Sequence, residues 1–146
     1  MFIEKLTEDD VAEYVHDVTL RNEKFDSMKV CSISNWYTRL GECECRQVDF
    51  VIERAGEVVE CSSDILDFSF LREHCVFMLK HFGDEYLNYL RVRVAEEDIS
   101  DSTKTYFIKQ NENRLAFIKA HNAAKQTVLI GQQKTLLDYD SQMGKE

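Results

Sequence analysis

Proline is absent from this 146-residue chain and glycine occurs only five times. The missing proline points to no particular function. No apolar run exceeds the five residues from Cys75 to Leu79, whereas a bilayer-spanning helix needs about 20, so no segment reads as one. The opening MFIEKLTEDD lacks the apolar stretch of a secretory signal. With five cysteines, an odd number, and no such signal, the expectation is reduced thiols in a cytoplasmic protein. Internal repeats, linkers and low-complexity segments are lacking as well. So are the G-x-S-x-G elbow, the P-loop, G-x-G-x-x-G and H-E-x-x-H, which removes the commonest local signatures of catalysis and cofactor binding.

What is present is an ordinary globular balance, with 44% apolar and 31% charged residues. The length suits one domain, residues 1–146, with one core that folds without staples or metals. Net charge is −9 and unevenly spread: residues 1–101 carry 23 acids against 11 bases, residues 102–146 carry 4 against 7. A negative body is repelled by nucleic acid and anionic lipid and suits a basic protein partner. The same charge also serves solubility.

LTEDDVAEYVHDV has the grammar of a helix start. Thr7 caps, Asp10 closes a capping box, and Leu6 staples onto Val11. Val11, Tyr14, Val15 and Val18 follow at helical spacing, with the helix expected to end near Asn22. Phe2 and Ile3 before it read as a short strand. Met28, Val30 and Ile33 fit another, and Trp36, Tyr37 and Leu40 read as core anchors. Val48, Phe50 and Ile52 alternate with Asp49, Val51 and Glu53, a strand with one buried face. A turn at Gly56 then pairs Ile52 with Val59 and Phe50 with Cys61. DFSFLREHCVFMLKHFG reads as a deeply packed helix closed by Gly83, and LRVRVAEED as a strand. KTYFIK reads as a strand and NENRLAFIKAHNAAK as a helix. TVLI and KTLLDY are either two last strands or a helical continuation.

The stretch GECECRQVDFVIERAGEVVEC holds Cys43, Cys45 and Cys61. A shared metal requires sulfurs within about 4 Å of each other. Cys61 opposes Phe50, which places it about 16 Å along the strand from Cys45 and on the other face. The thiols therefore read as sheet packing, not a metal or redox centre. His74 and His81 are seven apart on a helix, about 10.5 Å, and cannot share one ion. His16 and His121 read as solvated. Arg91 and Arg93 either clamp an acidic ligand or balance Glu96, Glu97 and Asp98, and the balance is preferred.

FIEKLTEDDVAEYV resembles the opening strand and helix of the GNAT N-acetyltransferase family, VDFVIERAGEVVEC its central hairpin, and NENRLAFIKAHN its late helix. The resemblance covers about half the chain. It implies a mixed sheet flanked by helices and acyl transfer from acetyl-coenzyme A. That family's pyrophosphate loop, Q/R-x-x-G-x-G/A, has no counterpart here, because no glycine lies between Gly56 and Gly83. No functional residue of the family carries over.

The fold expected is a single α+β domain with a mostly antiparallel or mixed sheet and packed helices. The function expected is that of a non-catalytic acidic binding protein, an inhibitor or regulator of another macromolecule. In composition it is like toxin immunity proteins or phage-encoded blockers of defence nucleases. The partner expected is a protein, basic or itself nucleic-acid-binding; direct nucleic-acid or membrane binding and a cofactor are not expected, and a homo-oligomer stays open. Trp36, Tyr37, Glu96, Glu97 and Asp98 are the candidate interface. The alternative is a small enzyme, either a divergent acyltransferase or a thiol-dependent catalyst.

Overall fold

The computed structural model describes residues 2–35, 37–38 and 44–142, and for 37–38 and 126–142 the backbone alone. Helix α1 (Glu8–Tyr14) starts where its sequence dictates: Thr7 Oγ1 accepts from the Asp10 amide at 3.1 Å, and the Asp10 carboxylate accepts from the Thr7 amide at 3.0 Å. A π-helical turn, Val15–Thr19, continues it, closed by the Leu20 amide on the Val15 carbonyl. The helix thus stops short of Asn22. Val11, Tyr14, Val15 and Val18 are buried, as their spacing requires.

Phe2 and Ile3 do not form a strand. Ile3–Lys5 is a 3₁₀ turn, and the Ile3 amide donates to Asp67 Oδ1 at 2.9 Å rather than to a ladder carbonyl. Phe2 sits among Phe82, Tyr86 and Tyr89, with ring centres 5.1–5.2 Å away. That enclosure favours a compact turn over an extended edge.

The sheet has four antiparallel strands: β1 (Ser27–Ile33), β2 (Tyr37–Thr38), β3 (Glu44–Arg54) and β4 (Glu57–Leu66). β3 is central. β4 follows one of its edges from Cys45↔Leu66 to Arg54↔Glu57, and β1 and β2 share the other. The pairs Ile52↔Val59 and Phe50↔Cys61 form as the turn position requires. Val48, Phe50, Ile52 and Ile65 are buried on one face, whereas Val59, beyond the helices' reach, stays 38% exposed.

The β3–β4 connection has two residues in the left-handed region, Ala55 at φ 53° and Gly56 at φ 82°. That geometry matches the twist of a two-residue hairpin, but the Ala55 side chain pays a steric cost of about 1 kcal/mol for it. Asn tolerates this backbone better. Ala55→Asn is expected to raise stability by about 0.5–1 kcal/mol, seen as a melting temperature about 2 °C higher.

α2 (Arg72–Phe82) is followed at once by α3 (Asp84–Ala95), and Gly83 at φ 56° makes the break. LRVRVAEED is therefore not a strand. Tyr86, Leu87, Leu90 and Val94 recur at helical spacing and are buried, while Val92 is 64% exposed. The Arg-Val alternation was too short to outweigh that stripe. Nor is KTYFIK a strand: α4 runs unbroken from Asp101 to Gln142, with Ser100 Oγ accepting from the Thr103 amide at its start. Phe107, Asn111 and Leu115 face the core four residues apart, and Ile118 follows at its margin. The open choice for TVLI and KTLLDY resolves to helix. One core joins the 3₁₀ turn, α1, the inner sheet face, α2, α3 and the first half of α4, an α+β fold. No helix among the described residues is long and apolar enough to cross a membrane.

Candidate functional site

Among the described residues, helices cover one face of the sheet and leave the other exposed over most of its length, with Cys45 buried at its end. Strand alternation decides what stands there: Gln47, Asp49, Val51 and Glu53 from β3, and Val58, Glu60, Ser62 and Asp64 from β4. β1 adds Ser27, Lys29 and Ser32 opposite Glu53, Val51 and Asp49. Carboxylates thus outnumber the single ammonium on this face. A shallow groove of about 500 Å³ crosses it, lined by Ser32, Asp49, Val51, Glu60 and Ser62 together with Cys31 and Cys61.

Asp49 is fixed at its centre. Ser32 Oγ donates to it at 3.0 Å and Gln47 Nε2 at 3.3 Å, while Gln47 also reaches Ser62 Oγ at 3.0 Å. Hydrogen bonds from Ser32, Ser62 and Gln47 hold its carboxyl below the usual range, so the negative charge persists well into mild acid. β4 is an edge strand, with no partner beyond β3 among the described residues. Its Val58 side chain is 68% exposed. The face therefore offers hydrogen-bonding backbone, fixed negative charge and an apolar foothold side by side.

The earlier candidates are scattered. Trp36 lies outside the described residues, as do Leu40 and Cys43. Tyr37 lies on β2, opposite Cys45. Glu96 and Asp98 are exposed after α3, but Glu97 is bound to Arg93 at 2.8 Å, one helical turn apart. Of the two arginines expected to balance Glu96, Glu97 and Asp98, Arg93 does so through Glu97, while Arg91 pairs with Glu112 of α4 at 3.0 Å, and both stand on a helix.

The thiols stay apart. Cys45 opposes Leu66 and Cys61 opposes Phe50 across a regular ladder, so an odd offset separates their faces. Among the described residues no three His, Cys, Asp or Glu side chains are placed to hold a metal ion. Burial pushes the Cys75 thiol up to about 11, and its Sγ lies 3.3 Å from the Ser69 carbonyl, which leaves it a poor nucleophile.

Two polar clusters come from partners more than 50 positions apart, for which the sequence carries no local signal. His81, half-buried on α2, meets Glu13 and Asp10 of α1. His74 is fully buried, and its Nδ1 lies 2.9 Å from Tyr14 Oη. Its Nε2 makes no well-formed hydrogen bond. The nearby Asp67 carbonyl accepts from Tyr86 Oη at 3.2 Å and favours the imidazolium, but by less than burial disfavours it. No family model, curated protein or solved structure matches this chain.

Proposed function

We propose that this is a non-catalytic binding protein that regulates another macromolecule by docking the open, acidic face of its sheet onto a basic protein surface. The observation that carries it is the fixed Asp49 carboxylate, flanked by Glu53, Glu60 and Asp64, on a face that no helix covers. Val51 and Val58 supply apolar contact within the acids, the mixture that a specific interface of about 1,600 Å² needs. Edge strand β4 adds a backbone edge that no strand among the described residues pairs, and a basic strand from the partner can extend the sheet there. Self-pairing at that edge is opposed by Glu57, Glu60 and Asp64, which two copies bring together.

The test is affinity capture from the native host at low and high salt. A basic protein is expected to be held at low salt and released at high salt. The variant Asp49→Lys with Glu60→Lys is expected to slow its association by about tenfold. Stabilisation of the protein by acetyl-coenzyme A or coenzyme A, with no protein captured, would overturn the reading in favour of an acyltransferase.

A further inference from the structure

A second surface, on the helical side, has the opposite chemistry. Arg72 at the start of α2 and Gln110, Asn113 and Arg114 of α4 line an open groove of about 410 Å³. Neither arginine forms an ion pair among the described residues; Arg114 donates only to Asn111 Oδ1, at 3.2 Å. In a chain of net charge −9, where Arg21, Arg54, Arg91 and Arg93 are each paired with a carboxylate, two unpaired guanidiniums side by side stand out.

Exposed rings frame them. Tyr106 is 65% and Phe117 73% exposed, and with Gln110 and Asn113 they repeat at the spacing of one helix stripe. Gln110 Nε2 donates to Tyr106 Oη at 2.9 Å, which holds the ring beside the groove. On the α2 side Phe70 stands half out of the protein, its inner edge against Phe107 at 4.9 Å. Arginine and aromatic residues around a polar centre are the composition of binding hot spots.

We propose that this surface docks an acidic, amphipathic helix of a protein partner, with its carboxylates on Arg72 and Arg114 and its apolar residues on Tyr106 and Phe117. Each guanidinium can take a carboxylate through two parallel hydrogen bonds, which a lone ammonium cannot. Tyr106 and Phe117 are 11 residues apart, about 16 Å along the axis, a separation that a partner helix reproduces with side chains of its own. Nucleotide bases stack at about 3.4 Å and fit that spacing poorly, while a phosphate chain also meets the repulsion of the acidic body. A second copy fits worse still. A two-fold contact centred here gathers four guanidiniums on one axis. The inference is independent of the sheet face, and the two together describe a protein with two docking surfaces of opposite charge.

The probe is a random 16-residue peptide library displayed on its own messenger RNA and selected on the full chain. Selected peptides are expected to carry two or more carboxylates with apolar residues at helical spacing. The variant Arg72→Glu with Arg114→Glu is expected to weaken their binding by about 100-fold, and Phe117→Ser by about 10-fold. Arg72 and Phe117 are exposed and Arg114 is half-buried, and an unchanged circular dichroism spectrum is expected to accompany the loss. Asn113→Lys, which adds a cation to the groove and leaves the Gln110–Tyr106 bond in place, is expected to keep or improve the affinity. The proposal fails if selection yields no binder, if the selected peptides are basic or neutral, or if the double charge reversal binds as well as the native chain. Arginine-dependent binding of a 20-nucleotide oligothymidylate, or an arginine-dependent dimer in sedimentation, overturns it in favour of those occupants.

Discussion

Tyr86→Ala is expected to lose about 4 kcal/mol of folding stability and about 12 °C of melting temperature, whereas Tyr86→Phe loses about 1 kcal/mol. Tyr86 is fully buried at the start of α3. Its ring meets Phe2 at 5.2 Å, Tyr89 at 5.8 Å and His74 at 6.3 Å, so it links the N-terminal turn, α2 and α3. Truncation to Ala removes the ring from among partners that cannot close the space, which gives a cavity term on top of the lost burial. The hydroxyl contributes separately, through its 3.2 Å bond to the Asp67 carbonyl. Phe keeps the packing and leaves that carbonyl one donor short, hence the smaller loss. Urea denaturation of both variants at neutral pH checks the pair. A loss below about 1 kcal/mol for Tyr86→Ala is incompatible with α3 as a packed helix.

How much was legible in the sequence follows the range over which each determinant acts. The capping box at Thr7 and Asp10, the β3 alternation and the Ala55-Gly56 turn are local, and each was readable from a few adjacent letters. α3 failed because Arg91-Val92-Arg93-Val94 alternates for only four residues, while the stripe that decides the matter begins earlier, at Tyr86. The first turns of α4, up to Gln110, failed for a related reason, although residues 111–125 read correctly as helix. Tyr106, Phe107 and Ile108 stand side by side as a strand's residues do, and only Asn111, Leu115 and Ile118 further on give the helical period. A buried asparagine in that stripe hid the pattern, since its amide is satisfied inside the helix by the Phe107 carbonyl at 2.9 Å. The acidic sheet face was half legible: the alternation put Asp49 and Glu53 away from the core, but only the register brings Glu60 and Asp64 beside them. The Arg72–Arg114 groove joins positions 42 apart across two helices, and no spacing rule reaches that far. A separation of 60 positions hid Tyr14 and His74 from each other.

That last pair makes the fold acid-sensitive in a window set by its imidazole. Burial pushes His74 down to about 4, against about 6.5 for a histidine in the unfolded chain. Tyr14 Oη, the Asp67 carbonyl and the Tyr86 ring adjoin the imidazole, and among the described residues no carboxylate contributes to its titration. Between pH 6.5 and 4 the unfolded chain therefore binds a proton that the native one refuses, so stability rises with pH. It is complete above about 6.5 and lost as pH falls towards 4, by about 3 kcal/mol in all. Asp67 acts in the opposite sense. Burial raises its pKa, so the native state takes up that proton first and recovers part of the loss at the acid end. His74→Phe keeps a ring in the space and removes the titration, whatever it costs in the Tyr14 contact. Urea denaturation of the two proteins at half-unit steps from pH 7 to 4 isolates the effect, because the surface carboxylates common to both cancel in the difference. The native chain is expected to lose about 3 kcal/mol more than His74→Phe across that range. Parallel curves for the two proteins would mean that His74 takes up its proton in place, through water or movement of Tyr14, and that the imidazole is not sealed in the core.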